Sequence, residues 1–209
     1  PVRPLLMDQL FGKYVIFSMQ RSGTTTLCSD INKWGGINAF ELLNMGGFSS
    51  CDSSNLREGR FRFMCAHNLS AAQVQQNPSA FADLYLTHLK TQRPNATNYG
   101  YKVFPQHVPN HLLPTILTAE TTCVIHKRLD VEAQYRSTRI ATKYNCWDTT
   151  GGDRCHTKNI SVDAHALYEF HRMYDHWYAR AEQLCDGHAI VRSTMNSYLN
   201  SRIPRRLTT

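Results

Sequence analysis

The sequence predicts an α/β fold in which a central, mainly parallel β-sheet of a P-loop-like domain is flanked by helices. Short runs rich in β-branched and aromatic residues alternate along the chain with longer runs of helical character. The chain has 209 residues, which is enough for one full hydrophobic core and short for two. No repeat, low-complexity tract or linker interrupts it. We therefore expect one domain over residues 1–209, with its core at about 14–192.

The predicted elements alternate between strands and helices from one end of the chain to the other. Gly35 and Gly36 stop the first helix, and Pro78 suits the first turn of the next long one. The predicted strands are residues 14–18, 62–67, 98–104, 121–127 and 188–193. The predicted helices are residues 24–34, 78–92, 130–144 and 162–184, together with a short helix over 109–119 that Pro114 breaks. Residues 44–60 are rich in Gly, Ser and Asn and are predicted to form a loop.

The composition narrows the range of partners. Lys and Arg total 23 against 16 Asp and Glu, a net charge of +7, which favours an anionic partner. The basic residues are scattered, apart from a cluster at 127–143 and the tail RIPRR, so a nucleic-acid partner is not expected. No apolar run approaches the ~18 residues of a membrane span. Whether an N-terminal anchor precedes this sequence stays open.

The cysteines favour a secretory compartment. Seven cysteines are many for a cytosolic domain, and the absence of a C-x-x-C pair argues against a zinc ribbon or thioredoxin motif. Cys146 and Cys155 bracket the turn-rich WDTTGGDR, a loop that a disulfide would close. Asn68, Asn95 and Asn159 each begin an N-x-S/T sequon. We expect a glycoprotein of the Golgi lumen or secretory pathway, with a reduced cytoplasmic protein as the alternative.

The segment SMQRSGTTT, residues 18–26, has the features of an anion-binding loop. A strand, a tight turn and a helix start place free backbone N–H groups around one point, and the helix dipole adds positive potential there. Gly23 allows close approach of an anion, while Arg21 and the hydroxyl groups supply further donors. The alternative is a helix cap without a ligand. The candidate binding residues are Arg21, Ser22, Gly23, Thr24, Thr25 and Thr26.

This loop differs from that of the nucleotide hydrolases, G-x-x-x-x-G-K-[ST]. Ser18 stands at the position of the first glycine and Thr24 at that of the lysine. No later apolar strand ends in an Asp placed to hold a metal ion, and no His/Cys cluster has metal-ligand spacing. The sequence therefore favours a metal-free anion site over hydrolysis of ATP or GTP.

RSGTT after a strand resembles the 5′-phosphosulfate loop of the sulfotransferases, whose sulfuryl donor is 3′-phosphoadenosine 5′-phosphosulfate (PAPS). The form SMQRSGTTTL is especially similar to the branch of trehalose sulfotransferase and the Golgi carbohydrate sulfotransferases; cytosolic enzymes usually carry Pro-Lys where this chain has Gln20-Arg21. CVIHKRLDVEAQYRSTRIA is similar to the family's second nucleotide element, in which an Arg and a Ser contact the 3′-phosphate. Arg128 and Ser137 match them, one residue further apart than is common, with Lys127 as the alternative to Arg128.

Two more stretches fit the same branch. GGINAFELLN matches the position of a glutamate on the acceptor side, which is Glu41 here, and YGYKVFP resembles a strand element whose lysine is Lys102. The resemblance covers about residues 14–192. It implies a transferase that moves a sulfuryl group from PAPS to a carbohydrate hydroxyl without a metal ion. Acceptor specificity is expected in the loops 44–60 and 146–159.

Sulfuryl transfer requires a base for the acceptor hydroxyl and donors that stabilise the leaving phosphate. The resemblance implies Glu41 as the general base. His107 is the rival, because cytosolic enzymes place a base histidine after a lysine strand. Arg21 is predicted to stabilise the leaving group, and Lys102 the transferring sulfuryl group or a cofactor phosphate. A P-loop kinase or nucleotide-binding protein and an inactive glycan-binding relative stay as alternatives.

Overall fold

The computed structural model describes residues 8–46, 48, 50–51, 58–147 and 160–196. Five parallel strands form one sheet in the order β2-β3-β1-β4-β5. The strands are β1 (Gly12–Phe17), β2 (Ile37–Asn38), β3 (Asn98–Val103), β4 (Thr122–Lys127) and β5 (Ile190–Thr194). The helices are α1 (Thr24–Lys33), α2 (Gly59–Ala66), α3 (Ala71–Gln76), α4 (Pro78–Gln92), α5 (Val131–Tyr144) and α6 (Ala164–Leu184), with a 3₁₀ helix at Leu113–Ile116. The predicted fold class is confirmed.

Strand β1 lies at the centre of the sheet, between β3 and β4. Its residues point alternately to two faces. Tyr14 and Ile16 pack with Leu27 of α1 on one face, whereas Val15 and Phe17 join the larger core that α2, α4 and α6 cover. The turn that joins β1 to α1 follows the C-terminal end of β1 and therefore lies at the carboxyl edge of the sheet, where parallel α/β folds bind ligands.

Gly100 lets strand β3 approach β1 closely. It lies opposite Tyr14 in the register of the two strands. A Cβ atom at this position would lie 2.0 Å from the carbonyl oxygen of Tyr14, so no side chain fits there. The Tyr14 hydroxyl in turn donates to the carbonyl of Ile37 at 2.8 Å, which ties β2 to the centre of the sheet.

Most predicted elements are confirmed, and α4 has the predicted bounds 78–92. Residues 62–67 were predicted as a strand, but residues 62–66 lie in α2 and His67 follows the end of that helix. The prediction was wrong because a short apolar run does not distinguish a strand from a buried helix. Strand β2 and helix α3 were not predicted. Helix α3 begins with a capping box in which Ser70 and Gln73 bond each other's backbone, a pattern readable in the sequence.

Helix α6 is the longest helix among the described residues and packs on the sheet through Tyr174, Trp177, Tyr178 and Ala181. Its aromatic side chains also reach towards the carboxyl edge of β1 and β4. None of the helices in the described part of the chain combines the length and the apolar character needed to cross a lipid bilayer.

Between cysteines that the structure describes, disulfides join Cys51 to Cys65 and Cys123 to Cys185. Neither was predicted, because the partners are 14 and 62 residues apart and only the fold brings them together. Disulfides are typical of proteins from oxidising compartments. Cys155, the predicted partner of Cys146, and the sequon residue Asn159 lie outside the described residues, whereas Asn68 and Asn95 are exposed.

We expect non-reducing peptide mapping to recover both disulfide-linked peptide pairs. Replacing Cys123 and Cys185 together by Ala should lower the free energy of unfolding by about 4 kcal/mol, because the cross-link restricts the unfolded chain over 62 residues. Urea unfolding measures this loss. Alkylation of Cys123 and Cys185 in oxidised native protein would contradict the assignment.

Candidate functional site

A cleft of about 470 Å³ lies at the carboxyl edge of the sheet, beside the turn between β1 and α1. Most residues predicted from the sequence to bind or catalyse lie on its wall. Of the predicted set, Ser22 and His107 are buried behind the wall. The lining residues are Gln20, Arg21, Gly23, Thr24, Thr25, Thr26, Glu41, Asn44, Lys102, Phe104, Arg128, Ser137, Trp147 and Met195.

Side chains from β4, α5, α6 and the loop after β4 hold the carbonyl oxygens of the β1–α1 turn. The four contacts run from Trp177 Nε1 to Ser18 O (2.9 Å), from Gln134 Nε2 to Gln20 O (2.7 Å), from Arg128 Nη1 to Arg21 O (3.3 Å) and from His126 Nε2 to Ser22 O (3.0 Å). A trans peptide directs its N–H opposite to its C=O. Because Gln134 and His126 are fully buried, we infer that the N–H groups of Arg21 and Gly23 point the other way, towards the cleft.

The backbone of the turn has the conformation expected of an anion site. Arg21 and Gly23 have φ angles of 62° and 86°, in the left-handed region that is uncommon for a non-glycine residue. Thr26 and Leu27 N–H donate to the Gly23 carbonyl. The N–H groups of Gly23, Thr24 and Thr25 precede these bonds and have no intrahelical acceptor, so they are available to a ligand.

A basic pair occupies the part of the cleft nearest α5. Arg21 Nε donates to Ser137 Oγ at 2.8 Å, and its Nη1 donates to the Trp147 carbonyl at 3.1 Å. Burial lowers the pKa of Arg21, and the neighbouring charge of Arg128 lowers it further. Among the described residues, no carboxylate lies within ion-pair distance of either guanidinium. Two adjacent uncompensated cations suit an anionic group such as a phosphate.

A second cluster surrounds Glu41, after β2. Lys102 Nζ lies 3.1 Å from Glu41 Oε1, and Asn44 Nδ2 donates to Oε2 at 3.0 Å. His107 Nε2 lies 3.6 Å from the same Oε2. The side chain of Lys102 is only 2 % exposed and also donates to Thr25 Oγ1 at 3.2 Å. Lys102 therefore connects the Glu41 carboxylate with the first turn of α1. Its side chain is buried, whereas a lysine at the end of a strand is usually solvated.

The contacts in this cluster determine the ionisation states of Glu41 and His107. Burial raises the pKa of Glu41, but the Lys102 ammonium and the Asn44 amide outweigh burial and hold the pKa below its ordinary value. Glu41 is therefore a carboxylate at neutral pH, the form that accepts a proton. Burial lowers the pKa of His107 to about 4, so its ring is neutral.

Several residues of this site were missed from the sequence. Arg60 Nη1 donates to the Glu41 carbonyl from α2, in a segment predicted as loop. His126 lies inside the apolar run of β4, where a buried polar ring requires partners; this was the available sign of its role. Trp177 packs in the core, and its buried indole N–H also needs an acceptor, which is the Ser18 carbonyl. Within the described residues, no three His, Cys, Asp or Glu side chains gather as metal ligands would.

No family model matches the chain, and the search of curated proteins finds no similar sequence. Among solved structures, the chain is similar to the dephospho-CoA kinase from Campylobacter jejuni, with 13% identity and a TM-score of 0.36 over 91% of each chain. A likeness at this level carries no argument about function. The site must therefore be interpreted from its own geometry.

We expect the free energy of unfolding to fall as the pH is lowered from about 6.5 to about 4. Burial lowers the pKa of both His107 and His126 to about 4, whereas an unfolded histidine titrates near 6.5. The unfolded chain binds more protons in this window, so each histidine contributes a slope of up to about 1.4 kcal/mol per pH unit. Urea unfolding at successive pH values measures the slope.

The variant His126→Gln should remove about half of this slope, since one of two buried rings is lost. His111→Gln is the control, because His111 is exposed. If the slope between pH 4 and 6.5 is the same in wild type and in His126→Gln, the interpretation of the buried ring is wrong.

Proposed function

We propose that the protein is a sulfotransferase that moves a sulfuryl group from PAPS to a hydroxyl of a carbohydrate. One observation carries the proposal. A single cleft holds an anion-binding turn, a basic pair beside a serine, and a carboxylate that is paired with a buried lysine. Sulfuryl transfer from this donor needs all three: two anion sites for the two ends of the nucleotide and a base for the acceptor.

The two anionic ends of PAPS fit two groups of residues. The turn over residues 18–26 offers N–H groups and hydroxyl groups for the 5′-phosphosulfate. Arg128 and Ser137 would bind the 3′-phosphate, in agreement with the sequence resemblance. Arg21 lies between the two groups, since its side chain bonds Ser137 while its backbone belongs to the turn. One guanidinium is thus in reach of both phosphates.

Lys102 supplies the charge that a P-loop lysine would supply in a nucleotide kinase. The position after Gly23 is Thr24, so α1 itself carries no lysine at its start. Instead, the Lys102 ammonium approaches Thr25 Oγ1 from the neighbouring strand β3. A cation at this point stabilises negative charge that develops on the leaving phosphate oxygen.

The reaction follows from this placement. Glu41 accepts the proton of the acceptor hydroxyl as its oxygen attacks the sulfur atom. The bond from sulfur to the bridging phosphate oxygen breaks, and its electron pair moves onto that oxygen. Arg21, Lys102 and the N–H groups of the turn stabilise this charge. The products are a sulfate ester and 3′-phosphoadenosine 5′-phosphate (PAP).

The acceptor side of the cleft supports a sugar as substrate. Asn44 contacts the Glu41 carboxylate, and the Phe104 ring, 5.1 Å from Lys102 Nζ, offers an aromatic surface in the same part of the cleft. The two disulfides support a location in the Golgi lumen or another part of the secretory pathway, with the cytoplasm as the alternative.

The nucleotide site is tested by Arg21→Ala and Ser137→Ala. Each variant should weaken PAP binding by about tenfold or more, because a hydrogen bond to a charged phosphate is lost. Calorimetric titration measures the dissociation constant. Arg139→Ala is the matched control, since Arg139 is an exposed residue of the same helix α5. Unchanged affinity in both site variants would show that the site is misassigned.

The reaction itself is tested with labelled PAPS and a panel of disaccharides, glycosaminoglycan fragments and glycolipids. Wild-type protein should transfer the label to a member of the panel. Glu41→Gln should lower kcat by about 10²- to 10⁴-fold at unchanged PAP affinity, because the amide accepts no proton. The exposed Glu120→Gln serves as control. Wild-type protein that binds PAP and transfers no label to any acceptor would instead favour the inactive relative.

A further inference from the structure

The orientation of the His107 ring is fixed by its own turn. The backbone N–H of Phe104 donates to His107 Nδ1 at 3.2 Å, and the N–H of His107 donates back to the Phe104 carbonyl at 3.0 Å. Because Nδ1 accepts a hydrogen bond, it carries no proton, and the neutral ring has its proton on Nε2. The tautomer therefore follows from the turn and does not depend on any ligand.

The Nε2–H of His107 is a buried donor that lacks a full hydrogen bond. The side chain is 1 % exposed, and Nε2 has no hydrogen-bond partner among the described residues. Glu41 Oε2 lies 3.6 Å away, slightly beyond hydrogen-bond distance. A shift of about half an ångström closes this gap, and an unpaired buried donor favours such a shift.

The other polar groups that the structure describes around Glu41 make contacts of their own and do not bond His107 Nε2. Oε1 faces the Lys102 ammonium, and Oε2 accepts from Asn44. Arg60 of α2 contacts the backbone carbonyl of Glu41 rather than its carboxylate. The titratable and charged groups that face the pair from the surrounding elements are Lys102 of β3, Arg60 of α2 and Cys28 of α1.

We propose that His107 is a positioning residue for Glu41, whose carboxylate it orients and holds ionised through its Nε2–H. The ring does not line the cleft, its Nδ1 is occupied, and its Nε2 already carries a proton, so it acts through Glu41 rather than on the acceptor. This inference rests on the proposed function. It assigns the histidine that the sequence offered as a rival base to a supporting role.

Two substitutions distinguish the role of the Nδ1 acceptor of His107 from that of its Nε2–H donor. In His107→Asn, the side-chain oxygen can still accept from Phe104 N–H, but nothing reaches Glu41. In His107→Gln, the longer amide extends a donor towards Glu41. We expect His107→Asn to lower kcat about tenfold to a hundredfold and to move the acid limb of kcat/KM to higher pH, with PAP affinity unchanged. His107→Gln should recover most of the loss, and the exposed His111→Asn should match wild type.

A titration that needs no turnover keeps this inference separate from the proposed function. Carbon-13 NMR of labelled Glu41 should show a higher carboxyl pKa in His107→Asn than in wild type or His107→Gln, because the carboxylate loses a donor. If the Glu41 pKa is higher in His107→Asn but the wild-type protein has no transferase activity, the proposed function is wrong and the contact between His107 and Glu41 is confirmed. If neither the pKa nor the pH profile moves, the positioning role is overturned.

Should His107→Asn fail to fold, nitrogen-15 NMR of the wild-type ring decides the matter. The proposal expects the tautomer with its proton on Nε2. A ring protonated on Nδ1 would have no donor for Glu41 and would overturn the proposal.

Discussion

Hydrogen bonds from buried side chains to the carbonyl oxygens of the β1–α1 turn determine the shape of the site. His126, Gln134 and Trp177 are shielded from solvent, and water does not easily replace them as donors. With the carbonyls held on the protein side, the opposite N–H groups are free for an anion. The left-handed backbone of Arg21 is kept in place by the same contacts.

Lys102 links the two chemical tasks of the proposed reaction. One ammonium group touches both the Glu41 carboxylate and the Thr25 hydroxyl, so the proposed base and the proposed leaving-group site share a cation. Its burial makes both contacts stronger than they would be in water. The close approach of β3 to β1 at Gly100 helps to position Lys102, two residues later in the strand, in the cleft.

The sequence predicts those features that depend on local pattern. The strand of Tyr14–Phe17, the stop of α1 before Gly35 and the bounds of α4 follow from short-range composition, and the structure agrees. The resemblance selects Arg21, Glu41, Lys102, Arg128 and Ser137, and the fold brings these five residues to one cleft. Their roles stay predictions until the nucleotide is bound.

Long-range contacts explain what could not be predicted. The donor of the Ser18 carbonyl is 159 residues away in Trp177, and that of the Ser22 carbonyl is 104 residues away in His126. No pattern in the sequence connects such pairs. The disulfides and the Arg60 contact could not be predicted for the same reason. Helix α2 was mistaken for a strand because its apolar run is too short to show a helical or strand period.

A calorimetric comparison of PAP with ADP and with ATP–Mg²⁺ tests the central claim most directly. PAP carries phosphates at both the 5′ and 3′ positions, whereas ADP and ATP have no 3′-phosphate for Arg128 and Ser137 to bind. We predict that PAP binds at least about a hundredfold more tightly, the effect of two hydrogen bonds to a charged group. Binding of ATP–Mg²⁺ that equals or exceeds that of PAP would contradict the account and favour a nucleotide kinase.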